Sequence, residues 1–441
     1  MKRIMSLIAL AAMVLGCVAT ASAELDVKAA GTWRVSGQVL SNMGNFNDDL
    51  ATTANDTFTL RHRARTQFRF VYNENVMGEL YTEYGNAVWG QGSAAYAAGE
   101  NADGNAFHIK RAFIQFRWPE TDALITVGEQ DITFPSSGAF SNMVQGGDDG
   151  SAIAVSSPIT DNIGLTLVYT RLSEVTETGP TNATWPVTSG NDFDVFLAAL
   201  PVSLDGMKIA PWFSYGIVGQ NTTFNTDTET ANVWWAGVGF NMNMFDPIVI
   251  YADFVYGSAD DGYTGLVNGT KGWMADAMVE FKGLDFAILQ VFGAYSSRND
   301  DPENDGAMPF IDSDFTVGGS MINGSVFGVD MGPAAPGFWL AGAAARKISF
   351  IEKLSHDVIF LYAKGTSDNN GFNPGRFGGY GFLPSLTSDD SYMEVDFNTR
   401  YQIYQSLAAI VELGYGKPDF DDSTRADDAA MKAAFGFVYS F

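Results

Sequence analysis

Met431-Lys432-Ala433-Ala434-Phe435-Gly436-Phe437-Val438-Tyr439-Ser440-Phe441 is the last stretch of the chain, and it alternates without a fault. Met431, Ala433, Phe435, Phe437, Tyr439 and Phe441 fall on one side; Lys432, Ala434, Gly436, Val438 and Ser440 fall on the other. A period of two makes a strand with one apolar face and one small or polar face. Chain ends in water are usually polar and frayed. An apolar row that runs to the last residue instead fits a strand closing a barrel with lipid outside and water inside. The alternative is an edge strand of a soluble sandwich.

Working outward, the other end of the chain sets the compartment. Lys2 and Arg3 precede an apolar run from Ile4 to Val14, and Ala21-Ser22-Ala23 is a small-residue cleavage motif, so residues 1–23 read as a secretory signal peptide. Leu15-Gly16-Cys17 is a competing lipoprotein site, but Leu15 is bulky for one. Cys17 is the sole cysteine, so the mature chain, 24–441, is expected to hold neither disulfides nor cysteine-bound metal. Losing Lys2 and Arg3 and no acid takes the formal charge from −26 to −28, which speaks against a nucleic-acid surface. No apolar run after Ala23 reaches the ~18 residues of a membrane-spanning helix. A membrane location then requires a closed barrel, because hydrocarbon leaves no unpaired strand edge satisfied.

The rhythm of connections points the same way. Short turns (Asn73-Glu74-Asn75, Pro119-Glu120-Thr121, Asp161-Asn162, Asp205-Gly206, Asp246-Pro247) alternate with long polar loops such as 131–149 and 296–337. Turns on one rim and loops on the other are the asymmetry of transmembrane barrels. Nine long loops and eight short turns predict an all-β, antiparallel transmembrane barrel of eighteen strands with both termini on the short-turn rim. Sixteen strands are the alternative. Faces are plain in 390–402, where Met393, Val395, Phe397, Thr399 and Tyr401 oppose Glu394, Asp396, Asn398, Arg400 and Gln402. They are equally plain in 271–282, and unresolved in 122–130 and 338–350.

The second strand carries the most specific constellation. Arg61, Arg63, Arg65, Gln67 and Arg69 share one face, opposite Leu60, His62, Ala64, Thr66, Phe68, Phe70 and Tyr72. Charged side chains cannot face lipid cheaply, so the arginines form a cationic ladder roughly 20 Å deep on the pore wall. Arg111, Gln115 and Arg117 share a parity on the fourth strand. The plainer reading pairs these cations with acids such as Glu79 and Glu83; it suits Arg69 and Arg117 better than Arg61, Arg63, Arg65 and Arg111.

From Arg111-Ala112-Phe113-Ile114 through Thr126-Val127-Gly128-Glu129-Gln130 to Gly146-Gly147-Asp148-Asp149-Gly150, the chain resembles the general porins of Gram-negative outer membranes. The whole mature chain is similar to the homotrimeric porins of anaerobic sulfate-reducing bacteria, and its ending resembles the C-terminal signature of outer-membrane barrels. The resemblance implies a passive diffusion channel for small hydrophilic solutes and ions in the bacterial outer membrane, assembled as a homotrimer among lipid and lipopolysaccharide. It implies that the third long loop, 131–149, folds into the pore. Asp131, Asp148 and Asp149 would there face the wall cations Arg61, Arg63, Arg65 and Arg111. It also implies that Phe437, Tyr439 and Phe441 are read by the barrel assembly machinery. Glu129 departs from the pattern, since many relatives have a basic residue there, and its parity matches Ile125 and Val127.

Asp301, Glu303, Asp305 and Asp312 approximate a calcium loop, but Pro302 and Pro309 spoil its backbone and no helices flank it. A solvated acidic loop is the plainer reading. His62, His108 and His356 are the only histidines, and no catalytic motif surrounds them, so no enzyme and no cofactor are expected. A channel preferring a sugar or an oxyanion, and more remotely a barrel enzyme or adhesin, remain as alternatives.

Overall fold

Strands alternating apolar and polar residues can satisfy their backbone groups in a membrane only by closing on themselves, and this chain does so. The structure, a computed structural model, describes residues 25–43, 46–47, 56–91, 97–98, 107–174, 192–220, 225, 229–260, 263, 271–297, 306–312, 315–316, 318–332, 336–367 and 382–441. The signal-peptide assignment lies outside them.

Eighteen wall strands follow in chain order: β1 (Asp26–Ser41), β2 (Asp56–Asn73), β3 (Val76–Trp89), β4 (Phe107–Arg117), β5 (Leu124–Ile132) and β6 (Asp148–Thr160). Next come β7 (Ile163–Glu174), β8 (Asp192–Ala199, resumed at Val202–Leu204), β9 (Met207–Val218), β10 (Ala231–Phe245), β11 (Ile248–Ala259) and β12 (Lys271–Leu284). The last are β13 (Ala287–Ser296), β14 (Phe338–Ile351), β15 (Leu354–Gly365), β16 (Ser391–Tyr404), β17 (Leu407–Asp419) and β18 (Ala430–Ser440). The break in β8 falls at Pro201, which has no N–H to give the ladder. Each strand pairs antiparallel with the next, and β18 returns to β1 in a register from Thr32 opposite Ser440 to Ser41 opposite Met431. The count of eighteen holds, and sixteen does not.

The closing seam reaches the last residue. Phe441 and Gly31 exchange both backbone hydrogen bonds, at 2.9 and 3.1 Å, and the Phe441 ring meets Trp33 edge-on with centroids 5.8 Å apart. Phe435, Phe437, Tyr439 and Phe441 all face outward. So do Met393, Val395 and Phe397 on β16 and Trp273, Val279 and Phe281 on β12. An apolar outer belt over a closed hydrogen-bonded wall is the surface a bilayer solvates.

The two unresolved segments are irregular for identifiable reasons. In β14 the register slips between Ala345 and Ile348, and Lys347 has φ +53°, so the alternation changes phase within the strand. In β5, Gly128 has φ +131°, and a Cβ there would stand 2.4 Å from the Ala112 carbonyl oxygen. Only glycine accepts both that backbone and that approach.

Candidate functional site

The inward face of β2 carries the arginine row, and its neighbours decide what each guanidinium meets. Antiparallel register sets Arg65 opposite Glu83 and Arg69 opposite Glu79 on β3. Arg65 Nε donates to Glu83, and Arg69 Nε donates to Glu79 at 3.1 Å. On the other side, Arg34 of β1 stands directly opposite Arg63. Arg34 is only 8% exposed and donates to the Val326 carbonyl at 2.5 Å and to Asn86 Oδ1 at 3.1 Å. The two cations repel; neutral acceptors take the Arg34 hydrogen bonds, and Glu83 and Glu412 offset part of the repulsion through space.

Arg61 and Arg63 differ from the rest. Each has a buried Nε with no hydrogen-bond partner, and neither enters an ion pair among the described residues. A β-bulge contributes: the register slips between His62 and Ala64, so Arg63 faces the Gly85-Asn86 step of β3 and no carboxylate. The ladder is therefore ion-paired at Arg65 and Arg69 and, among the described residues, not at Arg61 and Arg63, although Glu83 still acts on Arg63 through space.

A second cationic group lies on β4. Tyr81 pairs with Arg111 and Thr82 with Ile109, so Lys110 is the extra residue of a bulge. Both Lys110 and Arg111 consequently reach Asp149, each at 2.5 Å, and Arg111 also reaches Asp131 at 3.3 Å. Asp131 and Asp149 stand opposite one another at the adjoining ends of β5 and β6, and Asp148 pairs with Ile132. Expected as acids of the third loop, these residues are on strands. Asp131 and Asp149 pair with cations sideways along one wall, because β5 and β6 continue further than the sequence pattern suggested. Of Asp148 only the backbone is described.

Between those strand ends, segment 133–147 makes its contacts with lumen-facing residues of distant strands. Phe134 packs on Trp212 of β9 at 5.2 Å, and the Ser137 N–H donates to Asp253 of β11 at 2.7 Å. Residues 306–312 and 315–316 meet it: the Ile311 N–H donates to the Val144 carbonyl at 2.9 Å and the Gly146 N–H to the Asp312 carbonyl at 3.0 Å. The Phe140 and Phe315 rings meet at a tilt with centroids 5.4 Å apart. Together they cover an apolar cluster with Phe193, Val195, Trp235, Met274, Phe338 and Leu361 from the inward faces of β8 to β15.

Wall carboxylates tie segment 318–332 down. Asp396 accepts from both the N–H and hydroxyl of Ser320 at 2.7 Å, and Glu394 accepts the Met321 N–H at 3.0 Å. Glu412 accepts from the Ser325 hydroxyl and the Val326 N–H, each at 2.6 Å. Lys432 completes the seat, pairing with Glu412 at 2.9 Å and donating to the Ser320 carbonyl at 2.7 Å. These three carboxylates, of which Glu394 and Asp396 were read from sequence simply as water-facing, are spent on a loop. Arg34, Lys110 and this segment were all missed. The apolar residues Met308, Phe310, Ile311, Phe315, Met321, Ile322 and Phe327 were the available signal, since a solvated acidic loop has no use for them.

Exposure separates the two halves of the interior. The Arg65 and Arg111 side chains are 29% and 27% exposed, whereas Glu394 and Asp396 are fully buried. Glu129 pairs with Ala112 and shares the outward parity of Ile114. Asp301, Glu303 and Asp305 lie outside the described residues, and the backbone of Asp312 is engaged with segment 133–147. Among the described residues no group of three His, Cys, Asp or Glu could hold a metal.

No family model matches the chain, and no curated protein does. Solved structures do match in shape. Acinetobacter baumannii OccAB1 superposes with a TM-score of 0.56 at 10% identity, over 94% of this chain and 97% of that one. A. baumannii OccAB3 gives 0.54 at 11%, over 94% and 99%, and the outer membrane protein OprD of Pseudomonas aeruginosa gives 0.54 at 10%, over 94% of each. At such identity the likeness concerns the fold, and that fold is the closed antiparallel barrel of an outer-membrane protein.

Proposed function

We propose that the chain is an outer-membrane porin, a passive channel for small hydrophilic solutes whose open passage follows the arginine-bearing wall of β1 to β6 and favours anions. One observation carries the reading: Arg61 and Arg63 face the interior with no ion-pair partner among the described residues, on the half of the wall that stays partly exposed. Fixed charges in a narrow, low-dielectric passage attract and orient ions and dipolar solutes, and repel ions of their own sign. Segments 133–147, 306–312 and 318–332, lying against β8 to β17, would supply the opposing side of the constriction. The acids of the constriction are then Glu83, Asp131 and Asp149 beside the cations. The resemblance to homotrimeric porins supports a homotrimer, insertion through the assembly machinery by way of Phe437, Tyr439 and Phe441, and an outer leaflet of lipopolysaccharide around the loops.

The test is single-channel recording in a planar bilayer with a salt gradient. Wild type is expected to show steady ohmic conductance with a reversal potential on the anion side. Arg61→Ala with Arg63→Ala should move it toward cations by several millivolts at low salt, and less at high salt as screening shortens. An unmoved reversal potential would place the passage elsewhere. A channel preferring an oxyanion is the second reading, favoured by the same two free guanidiniums, which form forked hydrogen bonds with carboxylate or phosphate. Block of the chloride current by such an anion, lost in the same variant, distinguishes it.

A further inference from the structure

Away from the arginines, segments 133–147 and 318–332 are fastened to the wall by the same device. On β11, Asp253 accepts the Ser137 N–H at 2.7 Å with one carboxyl oxygen and the Ser137 hydroxyl with the other. On β16, Asp396 takes the Ser320 N–H and hydroxyl in the same way, each at 2.7 Å. Behind each clasping carboxylate stands a second acid. Asp276 of β12 lies directly opposite Asp253, and Glu394 lies two residues before Asp396 on the same inward face. In both pairs the carboxyl groups are within hydrogen-bonding reach of each other. Asp276 is 6% exposed and Glu394 is fully buried, so bulk water solvates neither.

The surroundings supply little counter-charge. Asp253 and Asp276 face Gly239 of β10, Ala294 of β13 and the uncharged Ser136, Ser141 and Asn142. No other charged group acts on either acid among the described residues. Glu394 and Asp396 face Leu361 and Ile359 of β15 and Gly416 and Gly414 of β17. Tyr392 donates to Glu394 at 3.1 Å, and Arg346 reaches the segment at the Gly318 carbonyl. Lys432, the cation beside Ser320, is paired with Glu412, and Asp330 acts on both through space.

Ionised carboxylates only accept hydrogen bonds, so two of them bond to each other only when one keeps a proton. Asp253 and Asp396 turn both oxygens to serine donors, which suits the ionised form; Asp276 and Glu394 are then the protonated donors. The Oδ1 of Asp276, buried without a hydrogen-bond partner, fits the carbonyl oxygen of such an acid. We propose that Asp276 and Glu394 each share a proton with the clasping aspartate, and that loss of these protons at alkaline pH loosens segments 133–147 and 318–332 from the wall. Without the proton, two adjacent carboxylates repel in a water-poor place, and lifting the segment relieves them by admitting water. The clasps hold while the shared protons are bound and weaken as the pH rises and removes them. The consequence for current rests on the channel reading; the shared protons do not.

The full chain, folded in detergent, is compared with Asp276→Asn, Glu394→Gln and the double variant. An amide donates at every pH the hydrogen bond that a protonated acid donates, so these variants should stay fastened. At neutral pH the infrared spectrum of wild type should show the C=O stretch of protonated carboxylic acids, and each variant should lose part of it. As the pH rises, wild type should lose this band. Over the same span its tryptophan emission should shift to the red, as Trp212 beneath Phe134 meets water, and its single-channel conductance should rise. The double variant should keep its neutral-pH emission and conductance. A wild type without the band at neutral pH, or a band untouched by both substitutions, would overturn the proposal. So would an equal alkaline response in wild type and double variant. If the variants do not assemble, wild type decides: a band lost with emission unchanged refutes the clasp, and the two changing together support it. Infrared and emission need no conduction, so a chain that conducts at no pH fails the channel reading and leaves the clasp to those two measurements.

Discussion

Replacing Lys432 with methionine should release segment 318–332 from the wall. Lys432 and Glu412 are 0% and 1% exposed, 2.9 Å apart, and Lys432 also holds the Ser320 carbonyl. Methionine fills much of the same volume but leaves the Glu412 carboxylate buried with only the Ser325 and Val326 donors. Breaking a buried pair by removing one partner costs about 3–5 kcal/mol. At ~1.4 kcal/mol per tenfold, that moves the balance between seated and released segment by roughly two to three and a half decades. A population invisible in wild type then becomes a measurable fraction. The assay is single-channel recording alongside limited proteolysis: Lys432→Met should show noisier current with excursions to higher conductance, and cleavage within 318–332. Adding Glu412→Gln removes the stranded charge and should restore most of the wild-type behaviour. A Lys432→Met channel that assembles with unchanged current and unchanged cleavage would refute the reasoning, because the segment would then be held without this pair or lie outside the passage.

Glu83→Gln keeps a hydrogen-bond acceptor for Arg65 but removes the charge that offsets it beside Arg63. The reversal potential should shift further toward anions at low ionic strength, and the shift should shrink at ~1 M salt, where the Debye length falls to about 3 Å. No shift at low salt would show that Arg65 lies off the ion path. Gly128→Val forces a branched side chain into φ +131° with a Cβ 2.4 Å from the Ala112 carbonyl. Strain of this kind costs on the order of 1–3 kcal/mol before the clash is added, so folded, heat-modifiable barrel on a gel should fall clearly below wild type. Normal yield would mean that β5 moves away from β4 without penalty.

The barrel itself is local physics, and one sequence suffices for it. Period-two alternation from Met431 to Phe441 dictates which face meets lipid, and the alternation of short and long connections dictates the count of strands and the rim on which the ends lie. The same period put Arg61, Arg63, Arg65 and Arg69 on one inward face. The acid beside Arg69 was legible. That Arg65 is paired too, and Arg63 is not, was not legible, because that depends on cross-strand register. Glu83 meets Arg65 and Glu79 meets Arg69 through pairing, while one bulge turns Arg63 away from any acid and another adds Lys110 beside Arg111. Bulges have no signature in alternation, and they change its phase without warning. The interior of the barrel was least legible of all. Asp396 and Glu394 look from sequence like wall charges facing water, and only the folded chain brings Ser320 and Met321 to them, and Val326 to Glu412. Strand faces are set by neighbours two residues away. A loop's seat is set by residues some seventy to more than a hundred positions distant, and only closure of the barrel brings those together.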